Sequence, residues 1–126
     1  MAKQYGLDHA TGTYITFLDT GDYFYNDGLQ TVMQCITENT YIKLYTFSYV
    51  YDDSYILADR PDDKTIGHVY KRTFVQWHNI HFSKEGSYAN EDYGFNRACK
   101  MILNNYERLG FPKAIKHIYM PTLYEH

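Results

Sequence analysis

The period of the apolar positions changes several times along the chain, and each change marks an element. Tyr14-Ile15-Thr16-Phe17-Leu18 is a short β-rich run that ends at Asp19, the pattern of a buried strand. Leu29, Val32, Met33 and Ile36 then follow i, i+3, i+4, i+7, which predicts a helix that Asp27 can cap. From Tyr41 to Tyr51 the spacing drops to two. Tyr41, Tyr45, Phe47, Tyr49 and Tyr51 share one face with Lys43, so a long strand is expected, and Asp52-Asp53-Ser54 turns it towards Tyr55-Ile56-Leu57. Gly67 to Lys71 reads as a further short strand and Thr73 to Trp77 as a helical turn. The strongest helical pattern covers Glu91 to Leu109, with Phe95, Cys99, Ile102, Leu103 and Tyr106 on one stripe, and Gly110 and Pro112 stop it. Ile115 to Tyr119 closes the series as a strand. The stretch from Asp59 to Lys64, with Pro61 and five charged residues, reads as a loop. Loosely alternating strands and helices predict an α/β or α+β class.

Composition narrows this picture. A chain of 126 residues supports one domain, and 44% hydrophobic with 21% charged residues is globular rather than disordered. No apolar run approaches the roughly 20 residues of a membrane span, and the N-terminus lacks the zones of a signal peptide. A cytoplasmic protein is therefore expected. Charge is split: residues 1–63 carry a net −7 and residues 64–126 a net +4. No strongly basic face for nucleic acid is present. The split fits two lobes that attract, an acidic metal edge facing a phosphate-friendly half, or scattered surface charge. Cys35 and Cys99 both fall on the apolar side of helical patterns and read as buried free thiols. The absence of CxxC excludes a zinc ribbon or thioredoxin motif.

Two acidic pairs carry candidate chemistry. In Phe17-Leu18-Asp19-Thr20-Gly21-Asp22 an apolar strand delivers two carboxylates to its C-terminal tip, where ligands bind in open α/β sheets. Carboxylates three positions apart can grip a hard divalent cation, which neutralises a diphosphate. The same pattern also suits a plain acidic turn. Glu91 and Asp92 open the long helix, where the helix dipole favours acidic side chains whatever their role. At the edge of a cleft, a carboxylate there can also take the proton of an acceptor hydroxyl.

The run from Ala2 to Asp22 resembles a signature of family 2 glycosyltransferases of the GT-A fold, ARNxGLxxAxGxYIxFLDxDD. Ala2, Gly6, Leu7, Ala10, Gly12, Tyr14, Ile15, Phe17, Leu18, Asp19 and Asp22 match it. Lys3 and Gln4 stand where the family has Arg and Asn, and Gly21 stands where the central Asp of its DxD metal motif lies. Further on, Gly67-His68-Val69-Tyr70-Lys71-Arg72-Thr73-Phe74, then His78-Asn79-Ile80-His81-Phe82, then Glu91-Asp92-Tyr93-Gly94-Phe95-Asn96 are similar to the acceptor half of that family, GKxYKRxFLxxxNIxF followed by EDxxFN. Pro121 to His126 resembles the segment that follows.

The resemblance implies an α/β domain over 1–126 with a partial GT-A-like (nucleotide-diphospho-sugar transferase) mixed sheet flanked by helices. It also implies that the chain lacks the N-terminal nucleotide-binding part of complete members. The implied activity is inverting transfer of a sugar from a nucleotide-diphosphate donor, a UDP-sugar foremost, to a hydroxyl of a glycan or other acceptor. Asp92 would be the base with Glu91 beside it. Asp19 and Asp22 would hold the donor diphosphate through Mn2+ or Mg2+, with Lys71 and Arg72 balancing phosphate charge. By analogy with a late His in some relatives, His126 would join the metal. The competing class is a non-catalytic, truncated relative that serves as a binding or assembly module.

Smaller constellations carry less. His78 and His81 form HxxH with no third ligand nearby and read as loop histidines. Trp77 with Phe74 reads as core. The tyrosine face of the 41–51 strand packs against helices or binds a sugar or protein partner. A truncated sheet exposes an edge strand, so self-association or a second chain is expected.

Overall fold

The computed structural model describes residues 2–18, 23–24, 27–38, 41–51, 56–58, 65, 67–82, 91–111 and 114–125. In chain order the elements are α1 (Ala2–His9), β1 (Tyr14–Ile15), β2 (Tyr23–Phe24), α2 (Gly28–Glu38), β3 (Leu44–Tyr51), β4 (Ile56–Ala58), β5 (His68–Lys71), α3 (Arg72–Trp77), α4 (Glu91–Arg108) and β6 (Ile115–Glu125). The described strands form one mixed sheet in the order β1-β5-β3-β6-β2, with β4 also on β3. β3 is the hub. Along one edge it pairs antiparallel with β5 over Leu44–Thr46 and with β4 over Tyr49–Tyr51. Along the other it runs parallel to β6, with a register shift between Phe47 and Tyr49. Across that shift Phe47 pairs with Ile118 and Tyr49 with Leu123, so β6 carries extra residues, Pro121 among them. An irregularity in a ladder is where a proline without an N–H is tolerated.

Alternation along the central strands sends side chains to two cores. Leu44 and Tyr70 join α1, α3 and α4 through Leu7, Phe74, Val75, Phe95, Cys99 and Leu103. Tyr45, Phe47 and Val69 point the other way and bury Val32, with Cys35 and Ile36 of α2 packed against them. The result is a mixed sheet flanked by helices on both faces, as the alternating pattern predicted.

Helix ends follow local chemistry. Thr31 N donates to Asp27 O at 2.9 Å, which opens α2 at the expected cap. Beyond α4, Gly110 takes φ 92°, while Gly110 N reaches Glu107 O and Phe111 N reaches Tyr106 O, both at 3.1 Å. This pair of bonds is the glycine C-cap that the sequence announced. Past α3 the same two bonds recur, Asn79 N to Gln76 O at 3.1 Å and Ile80 N to Val75 O at 3.0 Å, with Asn79 at φ 55° in the glycine's place. Asn is the residue that most readily substitutes there.

Several expectations are corrected. The strand expected over 14–18 is paired only at Tyr14–Ile15, after which Thr16 Oγ1 bonds to His68 O at 2.8 Å. The closing strand runs on to Glu125 rather than stopping at Tyr119. α1 and β2 carry no periodic signal that would have announced them. Within α2 the buried line is Gly28 and Val32, whereas Leu29 and Met33 are exposed. On the tyrosine face Tyr45 and Phe47 are core and Tyr41 is exposed, so the face is mainly a packing surface where it is described. Phe74 is buried, but Trp77 is 85% exposed and is not core. Among the described residues no helix is long and apolar enough to cross a membrane.

Both cysteines are free thiols; Cys99 is fully buried, while Cys35 is only partly so. Burial pushes the Cys99 thiol up to about 12. It does the same to the Tyr45 phenol, with smaller contributions from neighbouring acidic groups, Tyr14 first. Groups whose folded pKa is raised hold their protons more tightly when folded. Their stabilisation is complete below the ordinary thiol and phenol values of 9.0 and 10.0 and is lost as pH climbs towards about 12. The urea midpoint should therefore fall as pH is raised above about 9. At pH 8 a disulfide reagent should titrate Cys35 quickly and Cys99 only after denaturant is added.

Candidate active site

The two acidic residues at the start of α4 occupy different surroundings. Glu91 is exposed. Asp92 is nearly enclosed, with a side chain 14% exposed. Both of its carboxylate oxygens accept from Lys3 Nζ at 2.8 Å. Oδ2 also accepts from Thr65 N at 3.1 Å, with Thr65 Oγ1 at 3.5 Å. Three elements thus meet at one carboxylate: α1, the residue that leads into β5, and α4. The positive end of the α4 dipole favours the charge there as well.

Lys3 reaches Asp92 because α1 is anchored at two points. Leu7 is buried in the larger core. Next to Lys3, Gln4 accepts from Phe82 N at 2.8 Å through Oε1, and its Nε2 donates to Asp8 Oδ1 at 2.9 Å and meets His81 Nδ1 at 3.2 Å. The two residues that depart from the Arg-Asn pattern thus tie α1 to α4 and to the strip after α3. Sequence reasoning missed Lys3 and Thr65 as partners of Asp92. Lys3 had a signal, its place in the matched stretch. Thr65, a single residue in a polar loop, had none.

An aromatic cluster packs around Phe95, on the next turn of α4. Phe82 stacks on Phe95, with ring centroids 4.2 Å apart and 5° between planes. Phe17 meets Tyr70, Phe82 and Phe95 edge-on. The Tyr70 hydroxyl donates a short hydrogen bond to Asn96 Oδ1, one turn beyond Asp92. Burial pushes the Tyr70 phenol well up, with smaller contributions from the neighbouring Cys99 and Asp92 groups, so it stays a donor. Phe17 belongs to this cluster and lies two residues before Asp19 in the sequence.

Lys71 and Arg72 lie elsewhere. Lys71 pairs with Tyr14 at the start of β1, at the far end of β5 from Thr65, about 10 Å away along the strand. Arg72 N and Nε bond Thr13 O and Gly12 O at 2.9 and 2.5 Å, and Nη1 bonds Gln76 Oε1 at 2.9 Å. The structure therefore does not bring Lys71 and Arg72 to the Asp92 carboxylate. Asp19, Asp22 and His126 lie outside the described residues, and among those described no group of three His, Cys, Asp or Glu side chains gathers as a metal site. His78 bonds the Tyr106 hydroxyl, and His81 bonds Asn79 Oδ1 at 2.6 Å, so the HxxH pair is spent on separate local partners.

Solved structures share this architecture. Residues 1–349 of the glycosyltransferase TarS from S. aureus, in complex with UDP, match with a TM-score of 0.72 at 17% identity over 96% of this chain. The fold is glycosyltransferase-like. The same TarS segment in complex with UDP-GlcNAc matches with a TM-score of 0.71 at 16% identity over 97% of the chain. The longer TarS structure matches with a TM-score of 0.72 at 15% identity over 98% of the chain. The chain spans 38%, 37% and 23% of these three proteins' chains. No protein-family profile and no curated protein sequence matches.

The Lys3–Asp92 contact should be measurable as a coupling. In a double-mutant cycle with Lys3→Met and Asp92→Asn, urea unfolding should give a favourable interaction of about 1 kcal/mol, weakened by salt. Fully additive single effects would show that the pair contributes nothing to stability.

Proposed function

We propose that this chain is the acceptor-side part of an inverting, nucleotide-sugar-dependent glycosyltransferase of the family 2 type, with Asp92 as its base. The observation that carries the reading is the position of Asp92: a carboxylate at the first turn of α4, held by Lys3 and Thr65, in a fold shared with TarS. The TarS structures with UDP and UDP-GlcNAc support a UDP-sugar as donor. The acceptor hydroxyl gives its proton to Asp92, and its oxygen attacks the anomeric carbon from the face opposite the nucleotide. The bond from that carbon to the diphosphate oxygen breaks and UDP leaves, so the configuration inverts. Glu91, exposed beside Asp92, adds negative potential at the mouth of the site. Asp19 and Asp22 are assigned to a divalent cation, Mn2+ or Mg2+, that would neutralise the donor diphosphate, and His126 remains a candidate third ligand. Lys71 and Arg72, at the other end of β5 from Thr65, are kept as candidate cations for the donor diphosphate. A second chain or self-association would complete the donor side, and a cytoplasmic location fits a nucleotide-sugar substrate.

One observation favours the non-catalytic reading. Lys3 engages both oxygens of Asp92, so the acceptor hydroxyl must compete with an ammonium group for the carboxylate. Calorimetric titration of UDP, with Mn2+ and then with chelator, together with transfer assays on the same chain, separates the two readings. Metal-dependent UDP binding is expected. Asp92→Asn should preserve binding and folding while reducing transfer by about 10²–10⁴-fold. Unchanged turnover in that variant sinks the base assignment, and no UDP binding under either condition points to the binding-module role.

A further inference from the structure

A pocket of about 270 Å³ opens at the end of the sheet opposite Asp92, lined by Lys43, Thr73, Phe74, Trp77, His78 and Tyr106. We propose that it is a second ligand site, for a single sugar ring that carries a negative group, phosphate or carboxylate. This inference is independent of the role given to Asp92.

Charge argues for the anion. Lys71 N donates to Lys43 O at 2.9 Å and continues the β3–β5 ladder by one pair, since Leu44 already faces Tyr70. Two lysines therefore sit directly opposite one another, an arrangement that destabilises a sheet through like-charge repulsion. Among the described residues no carboxylate forms an ion pair with Lys43. Burial, and after it the adjacent Lys71 ammonium, holds Lys43 below the usual lysine range. An anion at the pocket mouth would pair with the Lys43 ammonium.

Shape and chemistry argue for the ring. Trp77 is the chain's sole tryptophan, and a helix position directed at solvent leaves it 85% exposed. An indole face offers a flat apolar platform to the C–H face of a pyranose, and its partners in the pocket are the Phe74 and Tyr106 rings. Thr73 and the His78–Tyr106 hydrogen-bonded pair place polar atoms among those rings, as sugar hydroxyls require. The volume lies just below the usual range of about 300–1,000 Å³ for ligand pockets, enough for one ring and too small for a nucleotide.

Because Trp77 is the only indole, tryptophan fluorescence of the full chain reports on this pocket directly. Glucose 6-phosphate and glucuronate are the two charged-ring probes, with glucose and inorganic phosphate as controls. A saturable change with either charged sugar is expected, and which one responds identifies the anion. Neutral glucose should give none at the same concentration. Lys43→Met, with its urea midpoint checked to confirm folding, should weaken the response about tenfold or more, the worth of a charge-assisted hydrogen bond. Silence with both charged sugars overturns the proposal. So does an equal response to inorganic phosphate alone, or undiminished binding by folded Lys43→Met.

Discussion

The registration of α4 against β5 is the constraint on which the rest of the structure depends. Two contacts one helical turn apart set it: Asp92 with Thr65 at the entry to β5, and Asn96 with Tyr70 inside β5. Tyr70 is enclosed on every side, so its hydroxyl has no water to bond and must find a protein partner. Asn96, also fully buried, provides it. A slip of α4 by one residue would strand two buried polar groups and turn Phe95 and Cys99 out of the core. The candidate carboxylate is thus placed by the requirement that a buried phenol be satisfied.

The same constraint joins the two halves of the candidate site. Phe95 follows Asp92 on the buried face of α4 and stacks on Phe82, and both rings meet Phe17. The segment that follows β1 and the first turns of α4 therefore share one aromatic cluster. Edge-on and offset contacts among such rings add modestly to their burial, and their main effect is to fix relative angles. α1 closes this arrangement from the side, through Lys3 to α4 and through Gln4 to Phe82. Lys3 and Gln4 thus place a cation and an amide side by side at the start of α1.

The two ends of β5 divide the molecule electrostatically. One end presents Thr65 and Asp92, with a single ammonium spent on the carboxylate. The other collects Lys43, Lys71 and Arg72 around α3. That short strand separates the Asp92 end from a basic one. Of these, Lys71 and Arg72 belong to the positive second half of the sequence, which suggested a phosphate-friendly surface, and they lie at the end away from Asp92.

Much of the architecture was legible in the order of residues, because it depends on local periodicity and backbone chemistry. Alternation fixed the long strand and its two faces. The stripe of Phe95, Cys99 and Leu103 fixed α4, and Gly110 fixed its end. The matched stretches pointed to a glycosyltransferase-like fold, and Asp92 was named from them. Other features needed the folded chain. The α1 helix has little amphipathic pattern, and it holds its place through Gln4 and Lys3, whose partners lie 78 and 89 residues away. Trp77 and Phe74 share a helix three residues apart, yet only the packing of α3 against β5 and α4 decided which ring was buried. Lys71 and Arg72 follow one motif with Asp92, but the direction of β5 carried them to the opposite end of the sheet. Sequence reports what a residue prefers within a few neighbours; which distant groups share a site is set by strand direction and helix register, and those exist only in the tertiary structure.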